Sequence, residues 1–160
     1  MLSQAEYETN RFYDVNSVLN NWLNERQQLW VEYCQLAGLT ANKSQNGNKQ
    51  LPTHQQLEQF CELLMDYVSA GHFEVFDIIA SEDPSGESLR ESLYPELMDT
   101  TDAALEFNDS YSSVEEIVNP KMFEQSVANL GETLAVRFEL EDRLIQHLSD
   151  HFLSGENAPA

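Results

Sequence analysis

The chain has 160 residues, 41% of them hydrophobic, with 28 acidic against 8 basic side chains and a formal net charge of −20. That length suits one domain, able to bury roughly 70% of its unfolded surface without a disulfide or a metal. The hydrophobic share excludes disorder, and the charge excludes direct binding to nucleic acid or an anionic membrane, since both require clustered Lys and Arg.

Helical periodicity dominates from the start. Residues 1–13 are polar and acidic, read as a flexible end and not as a signal peptide. In VNSVLNNWLNERQQLWVEYCQLAG, the apolar residues Val15, Val18, Leu19, Trp22, Leu29, Tyr33 and Leu36 recur at three and four positions. Asp14 is placed to cap this helix and Gly38 to stop it. TANKSQNGNKQLP then reads as a loop. Thr53 and Gln56 fit a capping box for a second helix, with Leu57, Cys61, Leu64 and Val68 on its buried stripe. A bend near Ser69-Ala70-Gly71 precedes a further apolar segment with Phe73, Val75, Phe76, Ile78 and Ile79.

SEDPSGES reads as a turn, and a third helical region spans about Glu87 to Phe107. Pro95 predicts two pieces there, because proline breaks an interior helix but suits a first turn. Ser112 with Glu115 forms another capping box over a short turn or helix. Asn119 as cap and Pro120 as first residue open a long last helix to about Phe152, with 154–160 as a flexible end. Its stripe is Phe123, Val127, Leu130, Leu134, Phe138, Ile145, Leu148 and Phe152. No long stretch alternates with period two. The expected fold is all-α: a single-domain antiparallel four-helix bundle with additional short helices.

The polar residues can be placed by helical phase, about 100° per residue. Asp66 lies nine positions after Leu57, about 180° from the core, so it reads as an outward carboxylate. It is either an ordinary solvated charge or the anchor of a protein contact beside Tyr67 and Phe73. Glu141 falls within about 20° of the stripe through Leu134, Arg137 lies about 60° away, and Arg26 sits one turn after Trp22. Charges so placed must be paired. They are read as a structural ion pair, Arg26 or Arg137 with Glu141, or as the lining of a ligand pocket. His147 and His151 have the i, i+4 spacing of a metal pair, but they fall on the polar side and no ExxH motif accompanies them. His72 has no second ligand at suitable spacing. No phosphate loop or GxSxG appears, so neither an enzyme, a cofactor nor a metal site is expected. Cys34 and Cys61 form no CxxC and read as small buried hydrophobes of a reducing cytoplasm. No apolar run approaches the roughly 18 residues of a membrane helix.

The segments NNWLNERQQLWVEYCQLAGL, LEQFCELLMDYVSAGHFEVF and LGETLAVRFELEDRLI resemble the Rsd/AlgQ family of regulators of sigma D, in its order and spacing. The resemblance spans nearly the whole chain and is weakest over residues 81–118. It implies an anti-sigma factor that binds the fourth, −35-recognising region of the housekeeping sigma factor in stationary phase. That region is thereby kept from the promoter and from core RNA polymerase. The resemblance also implies a sigma-binding role for Asp66, with Trp22, Tyr67, Ser69, His72 and Phe73 as neighbours. More loosely, it implies links to the phosphocarrier HPr and to an alarmone-metabolising enzyme. A DNA-reading module carries Arg and Lys, and an acidic bundle is suited to cover it. The alternatives are a metal- or small-ligand-binding helical bundle and an acidic adaptor for some other basic protein.

Overall fold

The computed structural model describes residues 3–41, 51–71, 75–78 and 84–157, with the backbone alone for 4, 7–13, 39–41 and 151–157. Among the described residues four helices carry the fold: α1 (Gln4–Ala41), α2 (His54–Ala70), α3 (Pro84–Tyr111) and α4 (Pro120–Asn157). Residues 75–78 add a short helical turn, and no strand occurs among the described residues. The class is all-α.

Local chemistry sets where each helix begins. α1 starts well before Asp14, because Ser3 and Glu6 form a reciprocal cap. The Glu6 amide donates to Ser3 Oγ at 3.2 Å and the Ser3 amide to Glu6 Oε2 at 2.9 Å. Asp14 is an exposed residue inside the helix, and Gly38 is helical too. Thr53 and Gln56 cap α2 as a full box, with bonds of 3.1 and 2.8 Å. The Met122 amide donates to Asn119 Oδ1 at 3.1 Å at the start of α4, where Pro120 is the first helical residue. Between α3 and α4 the chain makes turns and no helix, and His54 Nδ1 lies 2.7 Å from the Val114 carbonyl oxygen.

α3 runs unbroken through Pro95, against the expected division into two pieces. Pro95 and Glu91 are both exposed. The carbonyl that loses its helical partner is therefore on the wet side, where water replaces the missing N–H. The loop expected over residues 40–52 falls largely outside the described residues.

The helices pack in chain order, α1 on α2, α2 on α3 and α3 on α4, with α4 closing on α1. Their direction alternates. Tyr33 meets Phe60 and Trp22 meets Tyr67, so α1 and α2 are antiparallel. Thr100 meets Arg137 and Tyr111 meets Phe123, so α3 and α4 are too. The apolar stripes point inward: Val15, Trp22, Leu29, Tyr33 and Leu36 of α1 are buried, as are Leu57, Cys61, Leu64 and Val68 of α2. Cys34, expected inside, is exposed; it follows Tyr33 by about 100° of helix and turns out of the stripe.

One end of the core is an aromatic layer. Phe60 meets Phe107 edge to face at 5.9 Å, and Tyr111 meets Phe123 at 5.0 Å. The Tyr33 hydroxyl crosses to α4 and donates to the Val127 carbonyl at 2.8 Å. Gly131 makes that crossing possible, because a Cβ there would overlap the Tyr33 hydroxyl and lie 2.7 Å from its ring carbon Cζ. Gly131→Ala is therefore expected to destabilise the protein by about 1–3 kcal/mol. A Cβ on Gly38 meets nothing within 4 Å. Gly38→Ala is expected to stabilise by about 0.5–1 kcal/mol, since alanine costs less entropy in a helix. Urea denaturation of the two variants reads both signs.

Candidate functional site

The other end of the core is polar. Glu141 and Arg137 of α4 are 0% and 1% exposed, the two most deeply buried charges of the bundle among the described residues. Arg137 Nε donates to Glu141 Oε2 at 3.0 Å. The second carboxylate oxygen accepts a short hydrogen bond from the Tyr67 hydroxyl of α2. Arg26 of α1 places Nη1 3.7 Å from that same oxygen and 2.8 Å from Asp142 Oδ1. From α3, Thr100 and Thr101 accept from Arg137 Nη1 at 3.1 and 2.9 Å. Each Thr hydroxyl in turn donates to the Leu97 carbonyl. All four helices thus meet at one ion pair.

Aromatic rings close the network. Trp22 stacks on Tyr67 with centroids 5.4 Å apart and planes 4° apart. Phe138 meets Tyr67 edge-on at 6.0 Å, and the Arg26 guanidinium lies over Phe138 at 5.1 Å. Arg137 lies 5.9 Å from the Phe76 ring centre. Burial pushes the Glu141 carboxyl up to about 7, against the pull of Arg137, the Tyr67 hydroxyl and Arg26. Burial first, and then the Glu141 charge, pushes the Tyr67 phenol far above its usual range. Tyr67 is therefore a proton donor at any physiological pH.

The surface above this network is the outer stripe of α2. Gln55, Gln59, Glu62, Asp66 and Ser69 are all exposed and follow one another at three and four positions. Of the residues for which the resemblance implies sigma binding, Asp66 and Ser69 lie on that stripe. Trp22 and Tyr67 do not: they are 2% and 0% exposed, so neither presents a face to a partner. The aromatic character that suggested contact anchors is used in the core stack instead. His72 and Phe73 lie outside the described residues. Arg26, Arg137 and Glu141 come together as one cluster.

Thr100 and Thr101 were not anticipated. Their signal is a polar residue in phase with Leu93, Leu97, Ala104 and Phe107, the buried stripe of α3. Among the described residues no group of three or more His, Cys, Asp or Glu is placed to hold a metal ion. His147 Nε2 lies 3.3 Å from Ser85 Oγ. An open groove of about 410 Å³ runs between α3 and α4, lined by Glu96, Asp99 and Thr100 on one side and Asn129, Glu132 and Val136 on the other. No described helix is long and apolar enough to cross a membrane.

These features define a class: an acidic four-helix bundle whose interior is filled by its own side chains, leaving the outer faces for contact with other molecules. A family profile for the regulator of the RNA polymerase sigma(70) subunit, Rsd/AlgQ, matches residues 1–149. The chain belongs to the Rsd/AlgQ family. It is similar to the regulator of sigma D of Yersinia enterocolitica, at 35% identity over 91% of this chain and 89% of that protein. The regulator of sigma D of Yersinia pseudotuberculosis is 32% identical over 100% and 96%, and that of Sodalis glossinidius 37% over 91% and 97%. No solved structure matches. The family is one of sigma-factor regulators and not of enzymes.

Glu141→Ala leaves Arg137 buried without its carboxylate, and a loss of about 3–5 kcal/mol is expected in urea denaturation. An unchanged midpoint would mean that the pair contributes nothing. Glu141 also gives stability a pH dependence. Its carboxyl ordinarily titrates near 4.5 and in the folded state near 7, so the folded chain holds the proton more firmly than the unfolded one. The contribution is greatest in acid and falls as pH rises through that window. Glu141→Gln removes the titration, so the stability of the native chain relative to this variant is expected to fall between pH 4.5 and about 7.

Proposed function

We propose that this chain is an anti-sigma factor that regulates transcription by binding the housekeeping sigma factor stoichiometrically, through the acidic outer stripe of α2. The partner surface is the fourth region of sigma, whose basic DNA-reading face is complementary to a chain of net charge −20. Covering that face keeps it from the −35 element and from core polymerase, in the cytoplasm and in stationary phase. The names of the relatives support the sigma factor as the target.

The observation that carries the site is the position of Asp66: exposed, in the outer stripe of α2, and adjacent in sequence to a tyrosine locked into the core. A carboxylate on so rigid a base is ready for contact with little ordering cost. Asp66 and Ser69 are the direct contacts in this reading, Trp22 and Tyr67 their support, and His72 and Phe73 the rim. The phosphocarrier HPr and an alarmone-metabolising enzyme are secondary partners.

Asp66→Ala is expected to weaken binding to the isolated fourth region at least about ten-fold, roughly 1.4 kcal/mol. Far-UV circular dichroism should be unchanged, because Asp66 is exposed. Isothermal titration at rising salt should show affinity falling steadily. Equal affinity for the native chain and the variant would remove Asp66 from the site, and absence of binding in dilute buffer would sink the whole reading.

A further inference from the structure

α3 carries two stripes. Leu93, Leu97, Ala104 and Phe107 face the core. Met98, Thr101 and Leu105 follow one another at three and four positions on a second line, outside the first. Leu105 is 43% exposed, and Met98 and Thr101 are half-buried.

Helical phase shows which neighbour this second stripe adjoins. Measured from Leu93, Glu96 and Asp99 turn about 60° and 120° to one side, where they line the groove against α4. Met98 and Leu105 turn about 140° and 120° the other way, to the side of α2. On α2, Tyr67 turns about 80° from Leu57 to meet Trp22 of α1, whereas Glu62 and Ser69 turn about 140° and 120° in the opposite sense, toward α3. The heights agree as well. Phe60 meets Phe107, and Tyr67 is linked to Thr100 and Thr101 through Glu141 and Arg137. Leu105 therefore stands level with Glu62, and Met98 with Ser69.

This shoulder joins an apolar ridge to acid. Met65, half-buried and packed against the core, lies between the two helices. On the solvent side stand Glu62 and Asp66 of α2 and Asp102 and Asp109 of α3, all exposed. The opposite shoulder of α2, toward α1, has no such ridge among the described residues. Of the exposed large hydrophobics of α1, Trp30 turns to Phe138 of α4, and Val31 lies about 160° from Leu29 on the outer face.

We propose that Leu105 and Met98 are the apolar anchors of the contact whose acidic half is the α2 stripe, and that the occupant of this shoulder is one amphipathic helix of sigma's fourth region. The inference rests on that region being the partner. Carboxylates steer a basic partner, but a desolvated apolar anchor holds it, and Trp22 and Tyr67 are buried and cannot serve. A helix laid along the channel between α2 and α3 offers apolar residues at i and i+7 to anchors two turns, about 10 Å, apart. Its flanking Arg and Lys then meet the carboxylates on either side.

Isothermal titration of the full chain with the isolated fourth region tests this. Leu105→Ser is expected to weaken binding about ten-fold or more. The factor should be the same at low and high salt, because the loss is apolar, whereas Asp66→Ala should lose most at low salt. Val136→Ser, which alters a side chain of similar exposure (45%) in the groove between α3 and α4, should bind as the native chain does. Circular dichroism should be native in all three. Native affinity in Leu105→Ser beside a weakened Asp66→Ala would overturn the anchors and leave the sigma reading standing, as would equal losses in Leu105→Ser and Val136→Ser. No binding by the native chain removes both. Light scattering adds one more outcome: a native dimer that Leu105→Ser turns into a monomer assigns the shoulder to a second copy of this chain and overturns the proposal.

Discussion

Burying the Glu141 carboxylate is the constraint from which the rest of this structure follows. A carboxylate with no exposed surface must be met by donors on both oxygens. The bundle brings those donors from different helices, Arg137 from α4, Tyr67 from α2 and Arg26 from α1, while α3 holds Arg137 through two threonines. Apolar side chains slide past one another at little cost, so a core of leucines alone permits several alignments of four helices. The network adds groups that must meet atom to atom, which favours one alignment over the others. A buried ion pair is a poor source of stability against a well-packed apolar alternative. Its contribution here is register, fixed at a single level of the bundle where every helix must present a particular atom.

That division of labour explains why the two ends of the core differ. Toward Tyr33, Phe60, Phe107 and Phe123 the packing is aromatic, and its polar ties are few, among them Tyr33 to the Val127 carbonyl and Tyr111 to Ser126. Toward Trp22 and Tyr67 the packing is polar and ringed by aromatic faces. Both ends are filled with side chains, and the surplus of acidic charge is left on the surface. A bundle built this way is suited to act through its outer faces.

Much of this was legible in the sequence because an α-helix turns at a constant rate. That rate put Glu141 in phase with Leu134 and Asp66 opposite Leu57, and the structure buries the one and exposes the other. The capping residues at Thr53 and Asn119 were legible because an orphan amide needs a nearby side-chain oxygen. The start of α1 was missed because the capping box at Ser3 and Glu6 precedes a polar stretch with no apolar period to confirm it. Pro95 misled because the cost of an interior proline depends on whether water reaches the freed carbonyl, and that is a property of the packed fold. Trp22 and Tyr67 misled for a related reason. An aromatic ring serves a contact surface or a core equally well, and phase along one helix does not tell how far a neighbouring helix covers it.

The correction to Tyr67 changes how the proposed contact face should be understood. Tyr67 and Asp66 are consecutive, about 100° apart around α2. One is fixed between the Trp22 ring and the Glu141 carboxylate, and the other stands in solvent. Rotation of α2 about its axis is thus limited by the network, and with it the direction in which Asp66 points. A substitution at Tyr67, Trp22 or Glu141 would disturb that direction without removing any atom from the surface. Weakened partner binding in such an interior variant therefore reports orientation, whereas the same loss at an exposed position with the helices intact reports contact. The two kinds of residue belong to one site, but only the exposed ones can meet the partner.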